Sequence, residues 1–253
     1  MKQSVSIFLL YMASQVVAGA LSVLWVLLPN LFRGGKPDMG SPSPLVLSIS
    51  SALLSALLVA GLLAYYRREE RRTPHRRAIK ALDAAGVGGA VVSLLLLNFA
   101  IDFLLRPLHL SDGSMLDTLQ AMLHCVPGWL LICLIGPITE EMVFRRGILH
   151  YLERSGVQVP VAIGASALVF AIVHGNLAQG IPALLLGIAL GVLYHRSRSV
   201  WLCVAAHVAN NTVAALLMFL PDLPDSWWLS LLSVPLLALA WWIGRRTLQH
   251  VQV

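Results

Sequence analysis

Charged residues are scarce in this chain: they occupy 12% of its 253 positions, against about 25% in ordinary soluble domains. That shortage excludes a normal water-facing surface, and a mean hydropathy of +0.78 says the same. Cysteine is nearly absent as well. Cys125, Cys133 and Cys203 stand far apart in apolar sequence, which excludes a disulfide framework and a zinc-ribbon spacing and leaves them as small packing residues. No linker long enough to set off a separate domain breaks the chain, and no internal repeat is found.

What is present is length of apolar sequence. Eight stretches have about the length needed to cross a hydrocarbon layer ~30 Å thick: 4–30, 44–66, 81–105, 127–152, 159–176, 180–194, 199–219 and 227–243, the sixth being the shortest. The fold class is therefore all-α, a polytopic transmembrane helix bundle. The first stretch, Val5 to Leu28, is longer than the apolar part of a secretory signal and has no clear small-residue cleavage site, so it reads as a retained helix. Functionally the chain divides into N-terminal helices (1–118), a core (119–220), and a last span with its tail (221–253).

Basic residues orient the bundle. The run from Arg67 through Arg68, Glu69, Glu70, Arg71, Arg72, Thr73, Pro74, His75 and Arg76 to Arg77 belongs in the cytoplasm by the positive-inside rule. Threading eight spans from it puts both termini inside, with Arg145, Arg146, Arg154, Arg196, Arg198, Arg245 and Arg246, and leaves Arg33, Lys36 and Arg106 outside with Asp222 and Asp225. The pI near 9.7 is thus a matter of topology and anionic lipid, and nucleic acid is not implied. The expected location is a bacterial inner membrane.

Against that background the polar residues within the spans stand out. Glu140, Glu141 and Arg145, then His174, then His207 and Asn211 lie in or beside apolar runs, where an ionisable side chain costs roughly 2.5 to 3.5 kcal/mol on insertion scales. Met142, Val143, Phe144, Ile148, Leu149, Tyr151 and Leu152 continue the fourth span past Ile138, and turn signals come only at Ser155, Gly156 and Pro160. Counted from the adjoining turns at ~1.5 Å per residue, Glu140, His174, His207 and Asn211 reach depths of roughly 20, 21, 12 and 18 Å. They can meet. Pro137, one turn before Glu140, frees a backbone carbonyl there and is expected to bend the helix.

Neighbouring helical residues project about 100° apart, whereas i and i+4 share a face. Glu141 and Arg145 are therefore read as a buried ion pair, and Glu140 as the carboxylate left to take a proton. Phe170 lies one turn from His174 and can shield its imidazole, while the histidine orients or activates water. His207 and Asn211 can aim two donors at one point, as an oxyanion hole requires. Asn210 and Asn176 are weaker candidates. The bland alternative for Glu141 and Arg145 is a tie between helices. Zinc held by Glu140, His174 and His207 is the competing mechanism, but the compact His-Glu-x-x-His spacing is missing, so no cofactor is favoured. His75, His109, His124, His150, His195 and His250 receive no role.

Glu140-Glu141-x-x-x-Arg145, Phe170-x-x-x-His174 and His207-x-x-x-Asn211, in that order on apolar helices, resemble the CAAX prenyl protease and bacteriocin-processing (CPBP, abortive-infection) family of intramembrane endopeptidases. The resemblance covers roughly residues 120 to 220. It implies an eight-helix bundle with a conical cavity opening to the cytoplasm, Glu140 and His174 as water activators, and His207 and Asn211 as stabilisers of the tetrahedral intermediate. The remaining motif positions fall on Glu141 and Arg145. The implied partners are membrane lipid and a peptide or protein substrate, prenylated or otherwise lipidated in some relatives. A non-catalytic scaffold or bacteriocin-immunity protein would show a decayed motif, and a proton-coupled transporter would show inverted repeats; neither sign is found.

Overall fold

In lipid every backbone N–H and C=O needs a partner within the protein, so long apolar runs fold as helices. The computed structural model describes residues 2–32, 43–72, 83–111, 113–221, 223 and 227–251, and has no strand among them. In chain order the helices are α1 (Lys2–Phe32), α2 (Pro44–Arg72), α3 (Ala84–Leu105), the short α4 (Met115–Met122), α5 (Val126–Arg154), α6 (Val159–Ile172), α7 (Leu177–Ser197), α8 (Val200–Leu217) and α9 (Ser233–Val251). Asp83, Asn176 and Ser199 cap α3, α7 and α8, each accepting a backbone N–H of the first turn. Asn176 therefore has a structural task.

Among the described residues, seven helices are long and apolar enough to cross a membrane: α1, α2, α3, α5, α7, α8 and α9. The expected fifth span, 159–176, is the exception. Its helix stops at Ile172 after 14 residues, about 21 Å, because Gly175 takes the left-handed conformation at φ +77° and turns the chain at His174. The expected short sixth span is in fact 21 residues long, since the Asn176 cap starts it early. Gly187 and Gly191 on α7 pack on α6: a Cβ at Gly187 would lie 3.2 Å from Ala167 and Phe170, and one at Gly191 would lie 3.0 Å from Ile163.

One end of the bundle is tied by charge. Arg146 pairs with Glu70 at 2.7 Å, Arg154 with Glu69 at 2.7 Å, His195 with Glu153 at 2.7 Å and His250 with Asp83 at 2.6 Å; Arg198 also contacts Glu153, and Tyr151 contacts Glu69. His150 lies 2.8 Å from Arg146. The arginine-bearing ends of α2, α5 and α7 thus meet, and the end of α9 is tied to the start of α3, while Arg106 sits at the other end after α3. Arg33, Lys36, Thr73, Pro74, His75, Arg76, Arg77, Asp222 and Asp225 lie outside the described residues.

At that other end α4 turns into α5 so closely that a Cβ on Gly128 would lie 1.9 Å from the Met122 carbonyl oxygen. Gly128→Ala is expected to cost about 1 to 3 kcal/mol through overpacking. A thermal melt of the purified protein in detergent checks this, and an unchanged midpoint would contradict it.

Candidate active site

Two π-helical stretches, Leu131–Ile135 and Met142–Leu149, flank the turn of α5 that carries Glu140 and Glu141. Gly136 N–H donates to Leu131 O, five residues back. The next bond in that register would run from residue 137 to Ile132 O, but Pro137 has no N–H. The Asn211 side chain supplies the missing donor, its Nδ2 lying 3.2 Å from Ile132 O. The carbonyls of the second stretch are met in the same way: Tyr66 Oη donates to Met142 O at 2.9 Å and Ser166 Oγ to Phe144 O at 2.8 Å. Widened turns of this kind aim side chains where a regular helix would not.

The two glutamates part company. Glu141 is fully buried against an equally buried Arg145, with Oε1 3.0 Å from Nη1 (side chains 0% and 1% exposed). Arg145 Nη2 also donates to Gly187 O at 3.3 Å, and the guanidinium lies 4.7 Å from the Phe170 ring centroid. Glu140 keeps 22% of its side chain exposed and faces a cavity of about 500 Å³. His207 joins them: its Nδ1 donates to Glu141 Oε1 at 2.8 Å, and its Nε2 lies 3.6 Å from Glu140 Oε2. The expectation that the adjacent carboxylates cannot serve one point needs this amendment, because a single imidazole presents a nitrogen to each.

Phe170 is the hub of the site. Its ring meets Phe144, His174 and His207 edge to face at centroid distances of 5.1, 4.9 and 6.0 Å. His174 Nδ1 lies 2.7 Å from Phe170 O. A carbonyl only accepts, so Nδ1 carries the proton and the neutral ring keeps its lone pair on Nε2. Among the described residues no hydrogen bond or ion pair joins His174 directly to Glu140; the two share the cavity wall.

Glu140, His174, His207 and Asn211 all line that cavity, and Glu141 and Arg145 stand behind it. Asn210 lines it as well. Its Oδ1 is buried with no hydrogen-bond partner among the described residues, an unusual state for a buried polar atom. Other polar contributors come from helices to which sequence reasoning gave no role: Tyr11 and Gln15 on α1, Ser51 and Ser55 on α2, and Gln179 on α7. The i, i+4 spacing of Tyr11 with Gln15 and of Ser51 with Ser55 was the signal available in the sequence.

From Glu140 and His207 the lining extends to Leu119, Met122 and Met218, at the end of the bundle remote from the arginine cluster. Among the described residues, no three His, Cys, Asp or Glu side chains converge in a group that would hold a metal ion.

Residues 122–213 match the family model described as type II CAAX prenyl endopeptidase, Rce1-like. A protein of Bacillus subtilis (strain 168) named "Putative membrane peptidase YdiL" is 30% identical over 110 residues, a stretch covering 43% of this chain and 43% of that relative, so less than half of its length is matched. No solved structure matches.

Proposed function

We propose that this chain, whose residues 122–213 are similar to the Rce1-like type II CAAX prenyl endopeptidase model, is an intramembrane endopeptidase that cuts a peptide bond with glutamate-activated water. The observation that carries this reading is the division of the acidic pair: Glu141 is locked behind the cavity with Arg145, and Glu140 is presented inside it beside His207. A positioned carboxylate in a wet cavity is what a general base requires.

In the proposed reaction Glu140, assisted by the Nε2 lone pair of His174, takes a proton from water. The oxygen of that water attacks the scissile carbonyl. The resulting oxyanion is held by Asn211, whose Nδ2 has a second N–H beyond the one given to Ile132 O, and by His207 when its Nε2 is protonated. Glu140 returns its proton to the leaving amine as the C–N bond breaks. Glu141 fixes the His207 ring through Nδ1, and Phe170 shields both imidazoles from lipid. The substrate is a peptide or protein at the membrane, lipidated or not.

The Asn210 carboxamide, whose Oδ1 has no hydrogen-bond partner among the described residues, is assigned to hold a backbone amide of the bound peptide. Asn210→Ala is expected to lower kcat/KM about 3- to 10-fold, the value of one modest hydrogen bond; an unchanged kcat/KM would remove it from the substrate site.

The test uses purified protein in liposomes with extracted membrane proteins, in heavy-oxygen water. New peptide C-termini carrying heavy oxygen are expected, and they persist after a zinc chelator. Termini that vanish with the chelator and return with zinc would favour the metal-bound mechanism. Absence of new termini would remove the peptidase reading.

A further inference from the structure

A second cavity, about 840 Å³, lies between α3, α7 and α9. Its wall is almost wholly apolar, with Leu97, Leu185, Ile188 and Trp241 among its residues, and Ser93, Thr247 and Gln249 as the uncharged polar ones. Its two charged residues are Arg196 and Arg245. They differ from the arginines packed between helices at the same end: Arg146, Arg154 and Arg198 each pair with a carboxylate, whereas Arg196 and Arg245 have no such partner among the described residues and are exposed.

We propose that this groove binds one anionic phospholipid, with the phosphate between Arg196 and Arg245 and an acyl chain along the apolar wall. The dimensions agree. From Arg196 back to Leu185 along α7 is about 17 Å, close to half of a ~30 Å hydrocarbon core, hence one leaflet. Guanidinium groups grip phosphate oxygens through paired N–H donors, and basic pockets between membrane helices select anionic head groups. A peptide would leave its amides unpaired against this wall. The lipid also has a structural place, because Leu94 lines both cavities and α7 presents Leu186 and Leu190 to the active-site cavity while Leu185 and Ile188 face the groove. The inference stands apart from the peptidase reading.

The experiment is native mass spectrometry and thermal melting of the full chain in detergent, with added phosphatidylglycerol or phosphatidylcholine. Wild type is expected to retain phosphatidylglycerol preferentially and to melt higher with it. The Arg196→Gln/Arg245→Gln double variant is expected to bind it about tenfold more weakly or worse. Arg71→Gln/Arg72→Gln removes the same charge from the same end but outside the groove and is expected to bind like wild type. Ala189→Phe, which fills the groove and keeps both arginines, is expected to lose the lipid. Equal retention of the two lipids by wild type, equal weakening by the two arginine pairs, or unchanged binding by Ala189→Phe would overturn the proposal.

Discussion

Replacing Glu140 with glutamine is expected to leave the bundle folded and to slow peptide hydrolysis about 100- to 10,000-fold, the range a positioned general acid-base group supplies. Glutamine keeps the shape of the side chain and removes the basic oxygen. The structure gives reason to expect a silent effect on folding: Glu140 is partly exposed in the cavity, and among the described residues the one side-chain nitrogen within ion-pair distance of it is His207 Nε2, at 3.6 Å. Single-turnover rates and melting midpoints of the two proteins, measured side by side, check both halves. A rate within threefold of wild type would take the base away from Glu140.

Glu141 should behave in the opposite way. Removing one member of a buried pair leaves the other charge uncompensated, which typically costs about 3 to 5 kcal/mol. Here both side chains are essentially without solvent, at 0% and 1% exposure, and Glu141 also receives His207 Nδ1–H. Glu141→Gln and Arg145→Met are each expected to destabilise the protein by that amount. The double variant is expected to recover part of the loss, because no unpaired charge remains. Unfolding in mixed micelles, run as a double-mutant cycle, measures the coupling. Additive losses would mean that Glu141 and Arg145 do not act as a unit.

The contrast between these variants shows what sequence could and could not supply. Continuation of the apolar pattern through Leu152 located the fourth span, and α5 runs from Val126 to Arg154. Depth counting then set Glu140, His174, His207 and Asn211 within reach of one another, and all four line one cavity. The pairing of Glu141 with Arg145 followed from their i, i+4 spacing. Hydropathy did not reveal that α6 is only 14 residues long, because the halt is set by a backbone angle at Gly175 and the apolar composition continues up to the turn. Helical-wheel reasoning also missed His207 bridging both glutamates and Asn211 serving Ile132 O, since those contacts depend on where α8 lies against the widened turns of α5. The i, i+4 spacing of Tyr11 with Gln15 and of Ser51 with Ser55 was visible in the sequence, but not that these faces line the cavity, which depends on how the neighbouring helices are placed.

The most direct test of the central claim is a comparison of membrane-associated peptide termini in cells holding wild-type or Glu140→Gln protein at equal abundance. The account predicts a set of termini present with wild type and absent with the variant, whose sequences also identify the substrate and whether it carries a lipid. Identical termini, in cells whose phenotype depends on the protein and survives Glu140→Gln, would contradict it and leave a membrane scaffold.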